Sequence, residues 1–175
     1  MIYFTADTHL GHENILPYRP FSSIEEMDAE IIGGINAVVQ PNDVLYVLGD
    51  FIWKPRFYGH YRQRIRCREI YVVCGNHDSF SLRQHVSSLN ETLYRQLKGV
   101  RFHMTHYPMV EWRAMHYGSI HLYGHCHGRM ENTLNEMFRG RKAMDVGVDN
   151  AFRLLGTMRP LAIGYILEQL GVADA

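Results

Sequence analysis

A chain of 175 residues, 46% hydrophobic and 21% charged, is long enough to bury its own core and too apolar to be disordered or collagen-like. The 18 basic and 18 acidic residues cancel, so net charge favours neither a nucleic acid nor an anionic membrane as partner. No apolar run approaches the ~20 residues of a membrane helix, and the opening Met1-Ile2-Tyr3-Phe4-Thr5-Ala6 lacks the basic start of a signal peptide.

In chain order, residues 2–6 read as a buried strand ending at Asp7. Ser22 or Ser23, followed three residues later by Glu25 or Glu26, forms a capping box that opens a helix over 24–39, and Pro41-Asn42-Asp43 stops it. Apolar strands follow over 44–48 and 69–73, with a helix over 58–66 between them. Residues 82–97 fit a helix, but period-two alternation after Lys98-Gly99 favours a hairpin of 93–97 with 100–104. Further strands are expected over 120–123 and 142–148, and Pro160 fits the first turn of a last helix ending near 170. No repeat or linker interrupts the pattern, so 1–175 reads as a single α/β domain. Cys67, Cys74 and Cys126 lack CxxC spacing, which fits reduced thiols in a cytoplasmic protein.

The strands share one regularity. Four of them end in Asp7-x-His9, Gly49-Asp50, Gly75-Asn76-His77-Asp78 and Gly124-His125-x-His127, and the second hairpin strand adds His106. Strands paired in register bring such ends to one rim of a sheet, where sheet proteins collect ligands. Carboxylate, imidazole and amide oxygen without thiolate suit Mn, Fe, Zn, Ni or Co rather than Ca or Mg. Seven donors (Asp7, His9, Asp50, Asn76, His106, His125, His127) exceed the four of one zinc, so two divalent ions are expected, with Asp50 as bridge. On extended strand ends, each i, i+2 pair would point one way. Two such ions leave residual positive charge and supply hydroxide, which suits attack on a phosphate. His77, beyond the ligand count, is the expected acid for the leaving group, with Asp78 holding its other nitrogen.

These blocks resemble, in order, those of the calcineurin-like metallophosphoesterase family: D-x-H, G-D, G-N-H-[DE], H and G-H-x-H. The resemblance implies a four-layer α-β-β-α sandwich. It implies a first ion on Asp7, His9, Asp50 and His127, a second on Asp50, Asn76, His106 and His125, and His77 as acid or phosphate contact. Gly49-Asp50 runs into Phe51-Ile52-Trp53 rather than the G-D-x-x-D-R-G of Ser/Thr protein phosphatases. The pattern, including Asp145-Val146-Gly147-Val148-Asp149, is most similar to small, uncapped bacterial and phage phosphoesterases. It implies a dinuclear enzyme, Mn first among its metals, hydrolysing a phosphomonoester or small phosphodiester of a small molecule or nucleotide. A nuclease or nucleotide phosphodiesterase with the same core is the alternative. A non-catalytic scaffold on the fold is more distant, since such relatives lose ligands and none is missing here.

His12 and Asn14, just past the first block, are candidates to face the phosphate. His85, His103, His116 and His121 read as ordinary side chains, His103 and His121 facing solvent from mid-strand. The basic residues between 56 and 68 read as a solvated helix face, and Trp53, Tyr58, Trp112 and Tyr117 as packing. Oligomeric state has no signal in the sequence.

Overall fold

Alternate residues of the central strands serve two different cores. In β2 (Val44–Leu48) and β3 (Glu69–Val73), Leu45, Val47, Ile70 and Val72 join one core, and Tyr46, Leu48 and Val73 the other. The computed structural model describes residues 1–172. Both strands lie in a five-stranded sheet, with β1 (Ile2–Thr5), β4 (Ser88–Asn90) and β9 (Leu161–Ala162), in the order β4-β3-β2-β1-β9. All its pairings are parallel except that of β9 with β1. The second sheet runs β5 (Leu93–Leu97), β6 (Val100–Met104), β7 (Ile120–Tyr123), β8 (Ala143–Asp145), antiparallel only at the hairpin.

The first core is covered by α1 (Ile24–Val38), which contributes Met27, Ile31 and Ile35, and by α2 (Tyr58–Arg64), which contributes Tyr58 and Tyr61. The second lies between the sheets, where Phe4 stacks on Tyr46 at 5.3 Å and across the interface on Phe102 at 5.7 Å. Beyond the second sheet, Tyr123 and Ala143 pack with Trp112 and with Leu134 of α3 (Glu131–Met137). Ala151 of α4 (Val148–Leu155) and Ile163 and Ile166 of α5 (Ile163–Gln169) complete the core between the sheets. The layers are the α-β-β-α sandwich expected from the motifs. No helix among the described residues is long and apolar enough to cross a membrane.

Local chemistry sets most boundaries. Ser23 caps α1 by accepting the Glu26 N–H at 3.2 Å, while the Glu26 carboxylate takes the N–H of Ser22 at 2.8 Å, a capping box with its return bond moved one residue back. Lys98 and Gly99 both adopt left-handed φ (46° and 75°), the geometry of a two-residue hairpin turn.

Four expectations are corrected. The 142–148 strand stops at Asp145, because its carboxylate takes the N–H groups of Gly147 and Gly128 and turns the chain into α4. Pro160 does not open a helix: β9 follows it, and α5 starts at Ile163. The basic face is not wholly solvated, since the Arg62 guanidinium donates to the carbonyls of His85, Ile65, Cys67 and Arg68. His121 is fully buried rather than solvent-facing, accepting the Met109 N–H at 3.1 Å and donating from Nδ1 to the His103 carbonyl at 3.0 Å.

The two sheets meet at their C-terminal rim. Ala6, just past β1, bridges to Gly147, just past β8, and the Val148 N–H donates to the Ala6 carbonyl at 3.0 Å. That seam gathers the strand ends of both sheets into one cleft.

Candidate metal centre

Five of the seven expected ligands sit in left-handed backbone: Asp7 (φ 55°), His9 (50°), Asp50 (52°), His125 (68°) and His127 (50°). The only other non-glycine residues there, among those described, are Lys98 and Ala114. Each such residue costs on the order of 1 kcal/mol and persists because its surroundings fix it. Here the Asp7 N–H bonds the Gly49 carbonyl at 3.0 Å and the His9 N–H that of Asp50 at 2.9 Å. The i, i+2 pairs are therefore not extended, as the sequence reading had them. Sharp turns just past the strands aim the side chains instead.

Those turns bring the donors together. Asp7, His9 and His127 each offer one atom within 4.8 Å of the others, and so do Asp7, Asp50 and His106. Asp7 is common to both groups, whereas the sequence reading gave Asp50 as the shared ligand. Asp50 Oδ2 still lies between the halves, 3.6 Å from His9 Nε2 and 3.5 Å from His106 Nε2. Asn76 Oδ1 lies 3.1 Å from His106 Nε2. The His125 ring is 5.1 Å from that of His106, and its backbone N–H donates to the Asp7 carboxylate at 2.9 Å. Asn76 and His125 are exposed and form the open side of the cluster, while Asp7, His9, Asp50 and His106 are buried.

The imidazoles are oriented from behind. His106 Nδ1 donates to the Leu48 carbonyl at 2.8 Å, and His127 Nδ1 to Asp149 at 2.6 Å. His9 Nδ1 contacts His12 Nδ1 at 3.2 Å, and His9 Nε2 is buried with no hydrogen-bond partner. With Nδ1 engaged, each ring is left its Nε2 as donor, the arrangement of metal-binding histidines. A buried nitrogen without a partner beside two carboxylates fits a divalent cation, and the thiolate-free donor set fits a borderline transition metal.

Two glycines make the approach possible. A Cβ at Gly49 would lie 2.2 Å from His106 Nδ1, and one at Gly75 would lie 2.2 Å from Asp50 Oδ1. The site's pKa values are pulled apart. Burial pushes the Asp7 carboxyl up to about 8, and burial holds His9 down at about 3. Burial disfavours ionised Asp50, yet the His106 hydrogen bond and charge and the His77 N–H hold it at about 2. Burial pulls His106 down, but Asp50 and Asp7 lift it to about 9.

His77 is half-buried at the cleft, its ring 5.5 Å from those of His9 and His12, and its backbone N–H donates to Asp50 Oδ1 at 2.9 Å. Asp78 does not hold the His77 ring as expected. Its oxygens accept the backbone N–H groups of Asp50, Phe51 and Gly75 at 2.8–3.0 Å, tying the loops after β2 and β3 together. His12 is buried against His9, and Asn14 is exposed on the wall of an adjoining cavity. Arg19 and Asp149 escaped the sequence reading. The buried Arg19 guanidinium grips both Asp149 oxygens at 3.0 and 2.8 Å and donates to the carbonyls of Asp7 and Thr8. Asp149 stood at the end of a motif already noted, but nothing near Arg19 marked it.

A model of the calcineurin-like phosphoesterase superfamily domain matches residues 1–141. The chain belongs to this superfamily. It is 32% identical, over 85% of its length and 81% of the relative's, to the uncharacterized protein MJ1445 of Methanocaldococcus jannaschii. It is 25% identical to the Gene 66 protein of Mycobacterium phage L5, over 97% of each chain. Its fold matches the crystal structure of AQ665 from Aquifex aeolicus, a protein of unknown function, with a TM-score of 0.77 and 23% identity over 97% of this chain and 98% of that one.

Proposed function

We propose that this calcineurin-like domain is a dinuclear metal-dependent phosphoesterase, with manganese as its first-choice metal, acting on a phosphomonoester or small phosphodiester. The observation that carries this is the convergence of His9, His106 and His127, each with Nδ1 engaged, on the Asp7 and Asp50 carboxylates. Asp7, His9, Asp50 and His127 would hold one ion, and Asp50, Asn76, His106 and His125 the other. Divalent ions on such a set supply Lewis acidity to a phosphoryl group and lower the pKa of water.

The chain's own residues do the rest. His77 stands free of the expected ligand set and delivers a proton to the departing ester oxygen. Asp78 fixes the two loops that carry Asp50 and His77, and the His77 N–H to Asp50 bond joins them directly. The exposed Asn76 and His125 leave the cleft open to substrate. Three unpaired cysteines support a cytoplasmic placement.

Phosphodiester hydrolysis is favoured by a second, largely apolar cavity of about 480 Å³ beside His106, lined by Cys74, Thr105, Tyr107 and Met109. It gives a second ester group room next to the His106 side of the cluster. Rates of the manganese-loaded protein on p-nitrophenyl phosphate and its bis-ester separate the two substrates. His77→Ala is expected to lower kcat by roughly 10²–10⁴-fold while two ions remain bound. Hydrolysis of neither ester by the loaded protein overturns the reading.

A further inference from the structure

We propose that the cavity beside His12 binds the nucleoside half of the phosphoester, with Trp53 as its aromatic wall; the phosphate end rests on the reading above. The Trp53 ring lies parallel to that of His12 at 3.6 Å and 4.9 Å from that of His77, so it joins the acid candidate to the cavity. A leaving group protonated by His77 therefore extends past Trp53. Its backbone is fixed, with the Trp53 N–H on the Leu10 carbonyl at 2.9 Å and Ile52 bridged to Leu10. Trp53 is half-buried and belongs to none of the three apolar clusters of the fold, so core packing does not account for it.

The cavity is about 400 Å³, within the range of small-molecule sites. Phe57 adds a second ring, and Glu13 and Glu25 balance Lys54 and Arg56 around it. Balanced charge argues against a second phosphate or a polyanion. Aromatic walls among carboxylates and cations match a neutral heterocycle carrying hydroxyl groups, since rings stack on bases and carboxylates accept from ribose hydroxyls.

The chain has 2 tryptophans, so Trp112→Phe leaves Trp53 as the only indole, excited apart from the tyrosines at the red edge of its absorption. In that variant, adenosine and adenosine 5′-monophosphate should quench emission saturably, and ribose 5-phosphate should not. Calorimetry on the unaltered chain provides the same comparison should the variant fail to fold, and Trp53→Leu should weaken adenosine binding about ten-fold. The ratio of kcat/KM for adenosine 5′-monophosphate to that for ribose 5-phosphate, which lacks the base, should fall in step, whereas Arg95→Ala on the distant β5 should leave it unchanged. Saturable adenosine binding without hydrolysis of any ester leaves this proposal standing and removes the phosphoesterase reading. Hydrolysis with no saturable binding of adenosine, guanosine or uridine, or ribose 5-phosphate binding as tightly as the nucleotide, overturns it.

Discussion

Asp149 Oδ2 lies 2.6 Å from Nδ1 of His127, and the same carboxylate is gripped by both arms of Arg19. Arg19 also holds the carbonyls of Asp7 and Thr8, so one buried guanidinium ties the loop after β1 to the ring that the loop after β7 supplies. Asp149→Ala removes the orienting partner of His127 and strands the guanidinium. Manganese affinity should fall 10- to 100-fold by calorimetry. Unfolding in urea should show a loss of about 3 kcal/mol, the usual cost of breaking a buried pair.

Ion binding should release protons. Burial raises the Asp7 carboxyl to about 8, and Asp50, through its hydrogen bond and charge, lifts the His106 ring to about 9 against its burial, so the coupled cluster holds protons at pH 7. A cation must displace those protons, so affinity climbs with pH up to about 9, by about ten-fold per pH unit for each proton. Titrations of manganese in buffers of different ionisation enthalpy count the protons, and a flat result would falsify the assignment of Asp7 and His106 as ligands.

Gly75→Ala should disrupt the site although it adds one methyl group. The new Cβ would meet Asp50 Oδ1 at 2.2 Å and the Asp50 backbone N at 2.4 Å, and backbone has nowhere to go. A stability loss of about 1–3 kcal/mol is expected, together with lost ion binding. Gly33→Ala, in an open stretch of α1 with nothing within 4 Å, should instead gain about 0.5–1 kcal/mol.

Acid should unfold the protein partly through His121. Burial holds its ring at about 3, well below its unfolded value of 6.5, and both nitrogens already have partners. The unfolded chain therefore binds the extra proton first. Stability contributed by neutral His121 is complete above pH 6.5 and is lost as pH falls toward 3, at about 1.4 kcal/mol per pH unit. His121→Gln keeps an acceptor for the Met109 N–H but cannot gain the charge, so the acid limb of the urea midpoint should flatten. His9, also held at about 3, slopes the same way, so part of that limb should survive the substitution.

The strands that carry the site were legible because runs such as Val44–Leu48 are apolar on both faces and end abruptly in Asp or His. The capping box and the Lys98-Gly99 turn are local chemistry and came through as well. Four elements were missed. β4 is three residues at a sheet edge, two of them polar, and β9 is two residues, too short for a period to show, that pair with Tyr3 and Phe4. α3 is short and starts without a side-chain cap; α4 starts where Asp145 turns the chain. The identities of the clustered donors could be read, but their backbone could not: left-handed φ at Asp7 or His127 comes from contacts between distant loops. Arg19 and the fully buried His121 were hidden for the same reason, since each is defined by partners far along the chain.

The torsions at the five ligand positions set folding against chemistry. Glycine would relax every one of them, so a lineage selected for robustness alone would drift toward blank loops and a tougher, inert protein. Each carboxylate and imidazole kept there is a standing tax on the native state, and a stabilised variant obtained by random screening should be checked first for a cleft gone silent.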